Sequence, residues 1–565
     1  MQKPFEHGTR TTVIHEKERF AREGPQQKSG SGMATTLKTE GEVVGFIDIG
    51  TNAVRLLVVR INPNFSYMVV SQEKEVVRLG EEEFMDNSLK PQAVERTIHV
   101  CKKFAELART YGATKIIAVG TSAIREAKNR QKLLQKLAND IGLNVHVISG
   151  IDEARLIYLG VSSTLDIGDK KAIFIDLGGG STEIAIADQH RIYYTASLKL
   201  GAIRLTTQFI GENWVGPVPS KIYKLIKKHI IANIHGVKAK VKKLGVRTAF
   251  GSSGTIINLA EITGRMFKKN GNGRQLCLAR KNLKKLTPIL CSLPLEERKN
   301  LPGINPYRAD LIVAGAAILE TLMEEFGLAR INISHRDLKD GLLVDYLSLF
   351  EGFQQLQKAP IRNRSVLHLE RSCNCDEKHS ETVANLALQL FDSAKRIELH
   401  DLGEYERDLL KHSAILHDIG DFLSFNDHHL HSHYIISNSE LSGFDQKEKI
   451  IIANIARFHR KKLPTLKNLT STGLDEKSKK TVIILSTLLR LAEKLDRSHC
   501  GLVKKTELSR SEENQIVLTF YAESDCSLEE WSIIQNKRAF YEAFKKELKV
   551  HSITTTEPAQ VLQNR

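Results

Sequence analysis

The sequence predicts an α/β protein of two related lobes, followed by an all-helical domain and a small α+β tail. Apolar strands alternate with helical segments from about residue 42 to 345. Within that range an apolar strand, an aspartate and a glycine-rich turn follow one another twice, which indicates two α/β halves facing each other across a cleft. Beyond residue 345, long helical periods replace the strands, and eleven of the twenty histidines lie between 368 and 499.

The 565 residues are too many for one ordinary domain. We expect a disordered extension at 1–41, a first lobe at 42–164, a second lobe at 165–345, a helical domain at 346–502 and a small α+β segment at 503–565. The extension contains a Gly/Ser/Gln stretch of linker composition. Met33 is an alternative start, which would place the first 32 residues outside the native protein.

The composition excludes several classes of protein. Hydrophobic residues make up 41% and charged residues 26%, which is typical of a globular protein. No run of 18 apolar residues is present, so we expect no membrane-spanning helix. The seven cysteines are scattered and odd in number, which favours reduced thiols and a cytoplasmic protein. The net charge of +16 favours a polyanionic partner.

The elements of the first half can be assigned in order. VVGFIDIG is read as a buried strand that ends in a glycine turn, and AVRLLVVRI as the next strand. Residues 91–111 have helical spacing and end before Gly112. Residues 115–120, 144–150 and 171–181 repeat the strand pattern.

Two strand-ending turns predict a phosphate site. Asp48 and Asp176 each close an apolar strand, and such positions face the ligand crevice of an open parallel sheet. Glycines after them let backbone N–H groups approach phosphate, while the aspartates suit Mg²⁺. The alternative is that the glycines only permit tight bends that the aspartates cap. The predicted turn residues are Gly50, Thr51 and Asn52, then Gly179, Gly180, Ser181 and Thr182, and in a third turn Gly251, Ser252 and Ser253.

Seven motifs occur in a fixed order along residues 42–347. They are GFIDIGTNAVRLLV, AVGTSAIREAKN, VISGIDEARLIYLGV, IFIDLGGGSTEIAI, SLKLGAIRLT, FGSSGT and INPYRADLIVAGAAILE. This set resembles the exopolyphosphatase and guanosine pentaphosphate phosphatase family, in its long form with a C-terminal HD-like helical domain. The resemblance implies the actin–Hsp70–sugar kinase fold for the two lobes.

The resemblance also implies hydrolysis of a terminal phosphoanhydride by direct attack of water. Glu153 matches the glutamate that activates the water, and a carboxylate beside a phosphate cleft suits that role. The alternative is an acid that stabilises the dipole of its helix. Asp176 and Glu183 match the family's Mg²⁺-positioning motif, and Asp48 would lie on the other side of the cleft.

The phosphate-binding residues implied by the resemblance extend beyond the turns. They are Thr51, Asn52, Arg55, Ser122, Arg125, Ser181 and Thr182, together with Gly201, where the backbone would approach the cleft. For Arg125, the alternative is a structural ion pair with Glu126 or Glu153.

The helical domain contains a second constellation. His379, His417, Asp418 and Asp496 occur in the order that resembles HD-type phosphohydrolases, where these residues ligate a divalent metal. In the alternative, the domain supplies a substrate channel and a dimer surface. We assign the other histidines of this region, 428, 429, 431, 433 and 459, to helix packing or anion contacts. The pair Cys373 and Cys375 has poor spacing for zinc.

Three functions remain open at this stage. The first is an exopolyphosphatase that acts on inorganic polyphosphate, and nine Lys/Arg with no acid between 221 and 247 favour such a polymer. The same stretch is also compatible with a solvated helix face. The second is a guanosine pentaphosphate 5′-phosphatase, and the third a non-hydrolytic nucleotide-binding regulator. The low aromatic content of 6% argues against nucleic acid, and the family resemblance implies a homodimer.

Overall fold

The computed structural model describes residues 41–81, 83–211, 213–267, 276–512 and 514–554. Met33 and almost all of the predicted extension lie outside these residues. The predicted domain boundaries remain predictions, while the elements themselves can be compared directly with the sequence patterns.

The first lobe is a five-stranded sheet with helices. Its strands are β1 Glu42–Ile49, β2 Ala53–Ile61, β3 Tyr67–Val76, β4 Lys115–Gly120 and β5 Val145–Val147. Its helices are α1 Glu83–Asp86, α2 Pro91–Thr110, α3 Ser122–Glu126, α4 Arg130–Ile141 and α5 Gly150–Ser162. The strand order is β3-β2-β1-β4-β5, with β1 antiparallel to β2 and parallel to β4. The predicted strands and the helix that ends before Gly112 are confirmed.

The second lobe repeats this topology. Its strands are β6 Ala172–Leu177, β7 Thr182–Ala187, β8 Ile192–Leu198, β9 Thr248–Ser252, β10 Cys277–Ala279 and β11 Arg330–Ile333. Its helices are α6 Ala202–Leu205, α7 Ser220–Asn233, α8 His235–Leu244, α9 Gly254–Phe267, α10 Arg280–Ser292, α11 Leu295–Lys299, α12 Ile312–Glu325 and α13 Leu338–Leu347. Strand β6 is antiparallel to β7 and parallel to β9, as β1 is to β2 and β4. The repeated sequence phrase therefore corresponds to a repeated strand arrangement.

Helices α5 and α13 cross closely and join the lobes. A Cβ atom added at Gly341 would lie 1.9 Å from the carbonyl oxygen of Leu156, and one at Gly160 would lie 2.5 Å from that of Asp337. Side chains at these two positions would force the helices apart. The glycines thus bring the start of α5, which carries Glu153, to the same cleft as the start of α13.

The remaining chain is helical and ends in a small sheet. The helices are α14 Glu351–Leu356, α15 Ile361–Ser372, α16 Glu377–Arg396, α17 Glu404–Ile415, α18 His428–Asn438, α19 Gln446–Arg457 and α20 Glu476–Lys494. Strands β12 Val503–Glu512, β13 Gln515–Ala522 and β14 Glu547–Thr554 follow, with α21 Ser527–Ile534 and α22 Lys537–Phe544 between the last two strands. The helices and this sheet share one hydrophobic core, in which Phe391, Leu488 and Phe520 are buried.

Two further findings concern the predictions from composition. Among the described residues, none of the helices combines the length and the apolar character that crossing a membrane requires. All seven cysteines are free thiols, as their scattered positions predicted.

Candidate active site

A cleft is lined by residues from both lobes. It brings together much of the predicted site, namely Asp48, Gly50, Thr51, Asn52, Arg55, Ser122, Glu153, Asp176, Gly179, Gly180, Ser181 and Ser253. Strands β1 and β6 end at this cleft, so the two matched turns face the same space. The topology explains the convergence, because ligands of such sheets bind beyond the carboxyl ends of the strands.

The strand register pairs charged residues across each hairpin. Asp48 lies directly opposite Arg55, and Asp176 lies directly opposite Glu183. Side chains at directly opposite positions project from the same face of a sheet. The first hairpin therefore presents an acid with a cation, whereas the second presents two acids.

An ion network surrounds the first turn. Arg55 Nη1 lies 2.7 Å from Asp48 Oδ2, and Arg55 Nε lies 3.7 Å from Asp337 Oδ2. Lys339 Nζ lies 2.9 Å from Asp337 Oδ1. Burial raises the pKa of Asp48, an effect that the charge of Arg55 opposes. Asp48 Oδ1 and Asn52 Oδ1 are buried without a hydrogen-bond partner in the described part of the chain, and such oxygens fit a Mg²⁺ site.

Glu153 occupies the first turn of α5, as predicted. Ser149 caps this helix, and its hydroxyl accepts a hydrogen bond from the backbone N–H of Asp152 at 3.1 Å. Arg125 Nη1 donates to Glu153 Oε2 at 2.8 Å. Burial raises the pKa of Glu153 well above its usual value and the nearby Glu183 adds to this, while Arg125 opposes it. The ion pair considered for Arg125 is thus present, and it holds a buried carboxylate at the cleft.

Of the two acids of the second lobe, Glu183 is buried and Asp176 is half-buried. The Ser252 hydroxyl donates to Asp176 Oδ1, and the Ser197 hydroxyl donates to Glu183 Oε1 at 2.8 Å. Burial raises the pKa of Asp176 to about 6 and also raises the pKa of Glu183. Because a carboxylic acid must lose its proton to ligate a metal, cation uptake here releases protons and strengthens with pH.

Backbone geometry shapes the second and third turns. A Cβ atom at Gly201 would lie 2.2 Å from the carbonyl oxygen of Gly179, so this glycine lets the chain pass against the second turn. The Thr182 hydroxyl donates to the carbonyl oxygen of Leu200 and braces the same segment. Ser253 has φ of +87°, a strained left-handed conformation of the kind found at functional sites.

Some predicted residues support the cleft without being among the residues that line it. They are Arg125, Thr182, Glu183, Gly201, Gly251 and Ser252. Arg125, Thr182 and Ser252 each make a hydrogen bond to a neighbouring group at the wall. These three side chains therefore hold the wall of the cleft in place.

Sequence reasoning missed two charged residues of the cleft, Arg308 and Asp337. Arg308 is buried, and its Nη1 donates to Thr255 Oγ1 at 3.2 Å. Burial lowers the pKa of Arg308 to about 10, so it stays charged at neutral pH. It belongs to the INPYRAD motif, which is far along the chain from the third glycine turn, so only the fold brings this arginine to Thr255. Asp337 caps α13, and only the helix crossing brings it to the cleft.

The helical region brings three of the four predicted metal ligands together. His379, His417 and Asp418 have ligand atoms within 4.8 Å of one another. Asp496 instead lies behind His379, with its Oδ2 2.8 Å from His379 Nδ1. Two histidines assigned to helix packing or anion contacts, His428 and His459, also reach Asp418. They come from different parts of the chain, so no local sequence pattern indicated that they would meet at Asp418.

Comparisons with known proteins agree with this architecture. The sequence profile of the Ppx/GppA phosphatase family matches residues 57–350, and that of Ppx/GppA phosphatase, domain III, matches residues 361–537. The chain is 26% identical over 428 residues to the guanosine-5′-triphosphate,3′-diphosphate pyrophosphatase of Photobacterium profundum, covering 74% of this chain and 81% of the relative. The protein of the same name in Vibrio parahaemolyticus is 28% identical over 428 residues, with the same coverage.

A solved structure is similar as well. The exopolyphosphatase of Cytophaga hutchinsonii is 25% identical, with a TM-score of 0.50, and the match covers 55% of this chain and 99% of that chain. The profiles match more than half of this chain, and the cleft with its matched turns lies within the first of them. The chain is therefore a hydrolase of phosphoanhydride bonds that belongs to the Ppx/GppA phosphatase family.

Proposed function

We propose that this enzyme is an exopolyphosphatase, which hydrolyses the terminal phosphoanhydride bond of inorganic polyphosphate and releases orthophosphate. One observation carries the proposal. The buried carboxylate of Glu153 lies at the same cleft as three turns that offer backbone N–H groups. This arrangement supports a base that faces a bound terminal phosphate.

In the proposed mechanism, Glu153 orients a water molecule and accepts its proton as the water oxygen attacks the terminal phosphorus. The raised pKa of Glu153 makes it a stronger base than an exposed glutamate. Arg125 fixes one carboxylate oxygen at 2.8 Å, which leaves the other to face the water. The bond from phosphorus to the bridging oxygen breaks, and the shortened chain leaves as an anion.

Phosphoryl transfer depends on positioning the substrate and neutralising its charge more than on covalent chemistry with the protein. Thr51, Gly179 and Gly180 would hold the terminal phosphate through their backbone, since they line the cleft. The N–H of Gly50 instead donates to the carbonyl oxygen of Ala53 at 3.0 Å and closes the first turn. Arg308 would add a guanidinium, whose fork suits phosphate oxygens. It is a phosphate-binding residue in this proposal although no sequence argument singled it out.

Asp48, Asp176 and Glu183 would hold Mg²⁺, with Asn52 as a further oxygen donor. The buried Asp48 Oδ1 and Asn52 Oδ1, which lack hydrogen-bond partners among the described groups, support this assignment. When bound, Mg²⁺ supplies positive charge that stabilises the oxygens of the transferring phosphoryl group. Ser252 and Ser197 keep the acids in place for it.

The alternative substrate is guanosine pentaphosphate, from which the same chemistry would remove the 5′-terminal phosphate. The names of the two curated relatives favour it at least as well. The basic stretch at 221–247 gives polyphosphate only modest support. Lys227 pairs with Glu320 and Glu324, and Lys238 pairs with Glu325, so part of its charge is already neutralised.

We further propose an HD-like fold for the helical region, with a divalent metal at His379, His417 and Asp418 and with Asp496 orienting His379. We also propose that the enzyme is a homodimer and that it is cytoplasmic. The seven free thiols support the cytoplasmic location.

Orthophosphate release with Mg²⁺ tests the proposed function, with long-chain polyphosphate and guanosine pentaphosphate compared at equal terminal-phosphate concentration. A higher kcat/KM for polyphosphate supports the exopolyphosphatase, whereas a higher value for the nucleotide establishes the alternative. Release from neither would overturn both and favour the non-hydrolytic regulator. Glu153→Gln serves as the blank for contaminating phosphatases.

A further inference from the structure

We infer that the histidine cluster of the helical region is a dinuclear metal centre, in which Asp418 bridges two divalent transition-metal ions and His428 and His459 hold the second ion. This goes beyond the proposed function, because the second ion site is separate from the cleft and from the predicted set of four ligands.

The two oxygens of Asp418 face two different pairs of imidazoles. Asp418 Oδ2 lies 3.2 Å from His417 Nε2 and 3.7 Å from His379 Nε2. Asp418 Oδ1 lies 3.2 Å from His428 Nε2 and 3.5 Å from His459 Nε2. A carboxylate that divides its two oxygens in this way has the geometry of a bridge between two ions.

The second nitrogen of each ring is anchored from behind. His417 Nδ1 lies 2.7 Å from the carbonyl oxygen of Ala414, and His459 Nδ1 lies 2.6 Å from that of Ala456. A carbonyl oxygen only accepts hydrogen bonds, so both Nδ1 atoms carry the proton. In the neutral rings, each Nε2 then presents a lone pair toward Asp418. This is how histidines are oriented as metal ligands.

The other two rings are held similarly by carboxylates. His379 Nδ1 lies 2.8 Å from Asp496 Oδ2, and His428 Nδ1 lies 2.7 Å from Asp421 Oδ1. Lone pairs that converge on a carboxylate repel each other unless a cation lies between them. The Nε2 atoms of His379 and His417 and the Oδ1 atom of Asp418 are buried without a hydrogen-bond partner among the described residues.

The spacing at the second site also fits an ion. His428 Nε2 and His459 Nε2 lie 3.1 Å apart. Two nitrogens bound to one ion at about 2.1 Å are separated by about 3.0 Å in octahedral and 3.4 Å in tetrahedral geometry. Imidazoles with a carboxylate favour zinc, iron or manganese over Mg²⁺, which prefers oxygen ligands.

The first site opens to a cavity whose lining includes His379, Asp418 and Asp421. This cavity gives ions and water a route to the cluster. At the second site, Arg460 Nη1 lies 3.2 Å from His428 Nε2. Because like charges repel, the second ion displaces this guanidinium, and Arg460→Gln should tighten its binding.

Metal content tests the inference. The purified protein is loaded with Zn²⁺ and dialysed against excess Mg²⁺, which competes at the oxygen ligands of the cleft but not at imidazoles. We expect two tightly held zinc ions per folded chain. The His459→Asn variant should retain one zinc ion per chain. The Asp418→Asn variant should retain at most one, and it should bind that ion more weakly than the wild type does. His431→Asn, on the same helix as His428, is the matched control and should keep two.

A second measurement avoids dependence on the folding of variants. After loading with Mn²⁺ and the same dialysis, the wild-type protein should give a spin-coupled electron paramagnetic resonance spectrum, since bridged ions lie about 3.5–4 Å apart. An uncoupled six-line spectrum with one ion per chain would overturn the second site. Absence of retained zinc and manganese would overturn the whole centre. Neither result depends on phosphate release. A failure of the metal centre therefore leaves the proposed function untouched, and a failure of the proposed function leaves the metal centre untouched.

Discussion

The cleft between the lobes and the histidine cluster both gather acidic side chains, but they do so by different routes. In the cleft, Asp48 and Asp176 stand at the ends of strands, and each has its partner directly opposite in the next strand. In the cluster, His379, Asp418 and His459 come from α16 and from the segments that follow α17 and α19. Oxygen ligands and backbone turns characterise the first site, whereas imidazoles characterise the second.

This difference teaches which kind of site can be read from a sequence. A glycine turn after a strand carries its function within a few residues, so the spacing predicted the turn residues of the cleft. The family resemblance was needed to imply the roles of Glu153, Arg55 and Ser122. A cluster built from packed helices depends on which helix faces which neighbour. The two regions should therefore respond differently to substitution, and the following variants test that contrast.

We expect the largest effect, a loss of kcat, from replacing Glu153. Glu153→Gln keeps the hydrogen bond to Arg125 possible but removes the base, so kcat should fall by about 10²–10⁴-fold while substrate binding is retained. Asp152→Asn is the matched control, because Asp152 is the neighbouring acid in the same helical turn and does not line the cleft. Steady-state phosphate release measures both. Equal losses in the two variants would refute the assignment of the base.

Asp176 should govern the requirement for Mg²⁺. Asp176→Asn removes a half-buried carboxylate from the proposed ion site, so the Mg²⁺ concentration for half-maximal activity should rise by about tenfold or more. A Mg²⁺ titration of phosphate release checks this. The exposed Asp169 provides the control, since Asp169→Asn should leave the titration unchanged. An unchanged requirement in Asp176→Asn would place the ion elsewhere.

The crossing of α5 and α13 should be sensitive to one methyl group. Gly341→Ala would bring a Cβ to 1.9 Å from the Leu156 carbonyl oxygen, so we expect the free energy of unfolding to fall by about 3 kcal/mol. Gly236→Ala adds the same methyl in α8 where nothing lies within 4 Å, and it should be neutral or stabilising. Chemical denaturation compares them. A neutral Gly341→Ala would mean that the lobes do not depend on this close approach.

We expect the smallest effect, a change in how the free energy of unfolding depends on pH, from replacing His368, where the first lobe meets the helical region. The ring of His368 packs against that of Tyr67, with 4.5 Å between the centroids and a tilt of 47°. Burial, with the charge of Arg336, lowers the pKa of His368 from 6.5 to about 4. The unfolded chain therefore takes up the proton first, and stability contributed by this group is lost as pH falls from 6.5 towards 4. Between pH 7 and 5 the loss should be about 2 kcal/mol.

His368→Gln cannot take up that proton, so its unfolding free energy should depend less on pH over the same range. Denaturation at pH 7 and pH 5 for the wild type and the variant gives the comparison. A pH slope equal to that of the wild type would show that His368 is accessible to protons in the folded protein.

The sequence predicted the repeated strand topology, the matched turns and the helical position of Glu153. Each of these depends on local patterns of apolar residues and glycines. It did not predict that Arg308 and Asp337 reach the cleft, because the crossing of α5 and α13 places Asp337 there. His428 and His459 were assigned to helix packing or anion contacts, because only tertiary structure brings them to Asp418.

The most direct test of two independent centres is activity after selective removal of tightly bound metal. The enzyme is stripped with a chelator, freed of it, shown by elemental analysis to hold no transition metal, and then given Mg²⁺ alone. Our account predicts that phosphate release returns to the original rate, because the cleft with Glu153 performs the reaction. Recovery only after zinc, iron or manganese is restored would contradict it and would place the histidine cluster in the reaction.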